Sequence, residues 1–382
     1  MPRLKLLPGE WVLGAFLVYA ALRLVAAGDV SLNQKSLPRT DFFLVVLFVF
    51  CLRQLLEYRR SPWPSEVRSQ KRLHVLFLFV VLALMPLVLP GPPSLTPEGG
   101  WEGGATEVFI AVYGWLQVVL LVLLPFLLFW VSSAQHIKHK GRLDTVGMVK
   151  EGWRPLVRTL RDWIPLMALI YFYGLMGPVI GKGLFGDQDA ALAGIDRWLF
   201  WGHDPRVLLE PTISRPLSEW LSACYVFYLP LFPLVLAWAF ASEDPARFRE
   251  IAFAVTLTLA VGYVLYTVVP AQGPLFLDRF DVSLDAYLGK RLKEQLMDRT
   301  RVPRDCFPSL HTGASLVLLW GAYRSSPRLF WVLCPIVLSI PFACVYLRYH
   351  YVVDILAGAA LAAFVVTLTL RSRTLQRAFR EA

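Results

Sequence analysis

Ten apolar runs organise the chain, at roughly 10–27, 41–56, 73–90, 107–132, 163–180, 216–240, 250–269, 309–323, 328–346 and 351–370, against the ~20 residues a helix needs to cross a bilayer. Apolarity is continuous within each run instead of alternating at every second residue, so the pattern predicts helices and not a barrel. The connections are polar or turn-forming: Pro92, Pro93 and Pro97 with several glycines mark 91–106 as a turn-rich loop. The 270–308 connection is long enough to be functional on length alone, and its mixed charges predict a short surface helix. The expected fold is an all-α polytopic membrane protein with about ten transmembrane helices.

Basic residues interleaved with Leu, Val and Trp over 133–162, among them Lys138, Lys140, Arg142 and Arg154, read as a cytoplasmic segment lying at anionic headgroups. It separates a four-span module, 1–132, from a six-span core, 163–371, with 372–382 as a cytoplasmic tail. Within the core, the run Asp196-Arg197-Trp198-Leu199-Phe200-Trp201 suits an amphipathic segment anchored at headgroup depth.

Composition sharpens this picture. The 382 residues are 56% hydrophobic and only 17% charged, below the roughly one quarter charged that soluble domains carry. The net charge of +10 does not point to nucleic acid, because the basic residues sort by side. With both termini cytoplasmic, 23 Lys and Arg fall inside and 14 outside, half of the latter in the long 270–308 loop. The N-terminal run ends in Ala26-Ala27-Gly28, but the basic loop that follows the second run favours an uncleaved first helix. The five cysteines show no CxxC or zinc-type spacing; Cys306 and Cys344 fall near one face, which leaves a disulfide between them open.

Two short segments carry the chemistry, and the charge count puts both at the non-cytoplasmic surface. Cys306-Phe307-Pro308-Ser309-Leu310-His311-Thr312-Gly313 leads into the eighth run, and Tyr346-Leu347-Arg348-Tyr349-His350-Tyr351-Val352-Val353-Asp354 opens the tenth. On a helix, His350 and Asp354 share a face, so the carboxylate can take the proton of one imidazole nitrogen and present the other as a nucleophile. His311 is then the candidate general acid, and the expected intermediate is a phosphohistidine. Two histidines and a carboxylate also make a metal-binding facial triad; no further external His or Glu lies nearby to complete it.

Pro308-Ser309-Leu310-His311 resembles the Pro-Ser-Gly-His motif of the type 2 phosphatidic acid phosphatase superfamily, and His350-x-x-x-Asp354 with Ile355-Leu356-Ala357-Gly358 resembles its last motif. Phe-Pro-Ser-Leu-His and Tyr-Leu-x-x-His-Tyr-x-x-Asp look most like the inositol phosphorylceramide synthase branch. The resemblance covers about 163–371. It implies a six-helix lipid phosphatase or phosphotransferase core, with His350 as nucleophile, His311 as acid and Asp354 as orienting carboxylate. Donors would be membrane lipids bearing a phosphate or phospho-headgroup, sphingolipid among them, and acceptors an alcohol or water; no cofactor and no metal are implied.

The departures are specific. The Arg expected six residues before the last His is Cys344, and the first motif's Lys and Arg-Pro are replaced by Tyr266 through Pro274, including Gln272. Arg348, Arg304, Ser309 and Gln272 are the remaining candidates for phosphate contacts. Arg348 also reads as an interfacial arginine, Arg304 as a loop charge and Ser309 as a helix cap. The altered basic set leans the reading towards transfer over hydrolysis. A non-enzymatic lipid transporter on the same scaffold is the rival, but transporter sites lie near the midplane, whereas these histidines lie at helix ends.

Overall fold

The computed structural model describes residues 6–27, 161–277 apart from 171, 175, 182, 242 and 243, then 280, 282, 284 and 302–381. The expected second, third and fourth spans, Cys51, the 91–106 loop, most of the 133–162 segment and the expected surface helix of 270–308 lie outside the described residues. By contacts the chain forms two compact units, one of Met1–Arg39 with Thr159–Ala382 and one of Thr40–Arg158. Only the first is described below.

Its helices are α1 (Pro8–Ala27), α2 (161–170), α3 (Met176–Ile180), α4 (Asp189–Leu199), α5 (Pro205–Leu208), α6 (Arg215–Ala241), α7 (Pro245–Val268), α8 (Leu310–Ser325), α9 (Pro327–Tyr346), α10 (Val352–Arg371) and α11 (Arg373–Glu381). No strand occurs among the described residues beyond one isolated bridge, Ala271 to Asp305. Five of these helices, α1, α6, α7, α9 and α10, are long and apolar enough to cross a membrane. The fifth expected span is broken into α2 and α3, and the eighth becomes the sixteen-residue α8.

Sequence-local chemistry sets the helix starts. Asp244 accepts the Arg247 N–H (3.1 Å) ahead of Pro245, and Ser326 accepts the Leu329 N–H ahead of Pro327, each a polar cap followed by proline at the first helical position. Ser309 caps α8, its Oγ accepting the Thr312 N–H at 3.3 Å.

The short α8 is the hub, packing against α6, α7, α9 and α10. Small residues make this possible: a Cβ on Gly262 of α7 would meet Leu310 Cδ2 at 2.5 Å, and one on Gly321 would meet Ile251 Cγ2 at 2.8 Å. α1 packs on α7, and α11 lays Phe379 against Phe253 of the same helix. The two ends of the bundle differ: charges at one end tie α11 and α2 to α7, through Arg249 to Asp162 and Gln376 to Glu250. The opposite end carries the two motifs.

Candidate active site

Three non-helical segments meet where α7 ends and α8 and α10 begin. The turn after α7 accepts from the segment before α8, Cys306 N–H donating to Ala271 O at 3.1 Å. The same turn donates from Leu275 N–H to Arg348 O at 2.8 Å, and Ser309 N–H donates to Asp354 O at 3.1 Å. Gly273, at φ +94°, sits where any Cβ would lie 2.5 Å from the Tyr349 carbonyl oxygen. The turn after α7 therefore serves as a floor under the His350 turn.

Within this junction, His350 Nδ1 lies 3.3 Å from Asp354 Oδ2. The proximity arises differently from the helical register expected. His350 precedes the cap of α10, and Asp354, in that helix's first turn, reaches back to accept the Tyr351 N–H at 2.9 Å. The helix cap and the histidine brace are one carboxylate. The same Oδ2 receives the Cys306 thiol at 2.9 Å, and Cys306 Sγ stands 3.4 Å from His350 Nδ1. Asp354 is wholly buried, and its second oxygen, Oδ1, has no hydrogen-bond partner.

His311, in the first turn of α8, comes to a ring-centroid distance of 5.6 Å from His350, with the planes at 61°. Groups that each approach a common reacting atom to about 3–3.5 Å stand no more than about 7 Å apart, and the ring separation lies within that limit. Tyr225 stacks on His311 at 4.4 Å and Tyr228 tilts against it at 4.5 Å, holding the ring from the α6 side. Its Nε2 is buried with no partner.

The basic candidates lie on carboxylates. Arg304, in a left-handed conformation at φ 65°, pairs with Asp187, whose carboxyl is held below its usual range chiefly by that guanidinium. The Gln272 side chain also hydrogen-bonds Asp187, while its backbone N–H donates to Asp189. Arg348, likewise at φ 65°, is buried, donating to Val282 O (2.8 Å) and Glu210 Oε1 (3.0 Å) under the Phe280 ring. Ser309 is the α8 cap, with Cys344 Sγ 3.9 Å from its hydroxyl. The disulfide left open between Cys306 and Cys344 does not form: both thiols are free and buried, turned to Asp354 and Ser309 respectively. Of the two histidines and carboxylate of the facial triad, only His350 and Asp354 cluster: among the described residues the potential ligand atoms within 4.8 Å of one another are those of Cys306, His350 and Asp354, without His311.

The residues missed in the sequence are those that pin the site from α4. Asp189 and Asp196, two turns apart, face inward beside Leu192, while Trp198 and Trp201 remain 78% and 89% exposed, as a headgroup anchor would be. Asp196 accepts the first two amides of α10, Val352 N–H at 2.8 Å and Val353 N–H at 2.9 Å. Asp189 accepts Gln272 N–H, Gly273 N–H and the Tyr351 hydroxyl. The signal was present as two acids spaced seven apart on an amphipathic segment. Cys306, immediately before Phe307-Pro308, and the Tyr225–Tyr228 pair, three apart on one helix, were equally visible as residues but not as neighbours of the histidines.

Asp196→Ala should strip both amides of their acceptor. The cost expected is that of losing a strong cap, about 0.5–2 kcal/mol, seen as a lower thermal midpoint in detergent. Asp196→Asn, with one acceptor oxygen, should recover only part of it; a midpoint unchanged in both variants would reduce Asp196 to a bystander.

The fold and this junction define a helical integral membrane protein with an imidazole–carboxylate cluster at one end of its bundle. Residues 190–368, a little under half of the chain, match the family model described as the PAP2 superfamily. The match supports membership of that superfamily, whose members are phosphatases and phosphotransferases acting on lipid phosphates. It starts at α4, later than the 163 expected, so α2 and α3 fall outside it. No curated protein and no solved structure matches the chain.

Proposed function

We propose that the chain transfers a phosphoryl or phospho-headgroup group from a membrane lipid through a phosphohistidine on His350. The observation that carries this reading is the approach of His311 and His350 to 5.6 Å, with Asp354 at the Nδ1 of the second. A carboxylate at Nδ1 holds the proton there and leaves Nε2 with its lone pair for attack on phosphorus. His311 protonates the departing oxygen, then as a base activates the acceptor hydroxyl. The burial of His350 supports its part, since an imidazole shielded from water keeps a defined tautomer.

Transfer to an alcohol, as in inositol phosphorylceramide synthase-like head-group exchange on sphingolipid, is the preferred outcome; hydrolysis to a free lipid is the alternative. Transfer is favoured by the synthase-like wording of both motifs and by the absence of the phosphatase-type basic residues at Cys344 and before Gln272. Arg304, Arg348, Ser309 and Gln272 remain the candidate phosphate contacts. For the two arginines this requires exchanging Asp187 or Glu210 for substrate oxygens. The excess of basic residues on the opposite side supports cytoplasmic termini and a site on the non-cytoplasmic face.

The test is incubation of purified protein with labelled lipid phosphates, with and without alcohol acceptors, in chelator, with products resolved by mass. New head-group conjugates in chelator are the expected result. Free lipid alone would select hydrolysis, no product from any donor would sink the enzymatic reading, and activity that returns only with a divalent ion would overturn metal independence.

A further inference from the structure

The group beneath His350 has the composition of a thiophilic metal site. Cys306 Sγ, His350 Nδ1 and Asp354 Oδ2 are separated by 3.4, 3.3 and 2.9 Å. Tetrahedral zinc, with bonds of about 2.3 Å to sulfur and about 2.0–2.2 Å to nitrogen and oxygen, keeps nitrogen and oxygen ligands about 3.3–3.5 Å apart and either of them about 3.5–3.7 Å from sulfur. The two separations that involve His350 are within about 0.2 Å of this, and the one between Cys306 and Asp354 needs to open by about 0.6–0.8 Å. Burial points the same way: Cys306, His350 and Asp354 are 2%, 4% and 0% exposed, so an ion held among them is screened from competing water. A soft sulfur, an imidazole and a carboxylate select zinc-class ions over magnesium or calcium, which prefer oxygen alone.

We propose that Cys306, His350 and Asp354 form a binding site for a divalent ion of the zinc class, and that its occupation switches the catalytic histidine off. The inhibitory half rests on the His350 reading above. Coordination displaces the thiol proton of Cys306 to solvent and takes the Nδ1 lone pair, so the one proton of the neutral imidazole must reside on Nε2. That is the atom whose lone pair attacks phosphorus. The ion thus acts from behind the ring, without touching substrate, and Asp354 changes partner from imidazole to metal.

Two measurements on the full chain in detergent separate the site from the activity. Titration with cadmium or cobalt(II) should give a thiolate-to-metal charge-transfer absorption saturating at one ion per chain. It should be lost in Cys306→Ser and also in His350→Ala, which keeps the sulfur but removes a ligand, and it should persist in Cys224→Ser. On turnover, zinc should inhibit wild type, and the half-inhibiting concentration should rise on the order of tenfold or more in Cys306→Ser, each variant read against its own ion-free rate. No band in wild type, or a band undiminished in His350→Ala, would overturn the site. A normal band with turnover indifferent to zinc would overturn the switch. If no lipid phosphate is turned over, the enzymatic reading fails while the absorption experiment still decides whether the ion binds.

Discussion

His350→Ala is expected to abolish turnover, by between ~10³-fold and the ~10⁶-fold seen when a catalytic nucleophile is removed outright, while the protein still purifies as wild type does. The side chain is buried but sits in a turn ahead of α10, not inside a packed helix, and its removal leaves the Asp354–Tyr351 cap intact. His311→Ala provides the contrast. Loss of a positioned proton donor costs about 10²–10⁴-fold, and a donor whose leaving group needs no proton, such as a nitrophenyl phosphate, should recover much of that loss. The same donor should do nothing for His350→Ala. Acid-labile phosphate on the protein is expected in wild type and absent in His350→Ala. A His350→Ala protein with wild-type rates would end the nucleophile assignment, and equal rescue of both variants would end the division of roles.

The sequence singled out residues that the fold brings together, but not how it does so. His311, His350 and Asp354 were legible because each sits in a short motif at the mouth of an apolar run, where polar residues are rare. The reason offered for one pairing was nevertheless different from the one found: spacing of four suggested a helical face, whereas His350 lies outside the helix and meets Asp354 through its reach back to the cap. Asp196 illustrates what a single chain hides. Its partners, Val352 and Val353, are more than 150 residues away, and the local pattern around it reads as a headgroup anchor. The exposed face of α4 carries Trp198, and the opposite face does something local periodicity could not reveal. Cys306 was hidden for a similar reason, since a buried cysteine is most often a small apolar residue, and its polar neighbours, Asp354, His350 and the Tyr349 carbonyl, all lie more than 40 residues away along the chain. There burial, followed by the Asp354 charge, drives the thiol well above its ordinary range and keeps it protonated as a donor.

Gly358→Val is expected to cost both stability and activity, because of where two backbones touch. A Cβ at 358 would lie 2.3 Å from Ser309 O and 3.3 Å from Gly313 N, and one at Gly313 would lie 3.0 Å from Gly358 O. These neighbours are main chain, so no rotamer change relieves the contact; α10 and the start of α8 must separate. Overpacking in an interior generally costs about 1–3 kcal/mol, and contact with backbone puts this position at the upper end. The catalytic penalty should be larger than the stability loss alone implies. Ser309 and His311 move with α8, Asp354 and His350 with α10, so a wedge at 358 lengthens the distance on which the proposed chemistry rests, and misplacement by about 1 Å can cost ~10²-fold. Gly358→Ala should show the same effects at smaller size. Gly14→Ala, where nothing lies within 4 Å of the added Cβ, controls for glycine replacement in a helix and should be neutral or mildly stabilising. Thermal midpoint and single-turnover rate, measured together, separate the two effects. A Gly358→Val protein as stable and as fast as wild type would mean that α8 and α10 need not approach this closely, and the closeness of the two imidazoles would then have lost its structural cause.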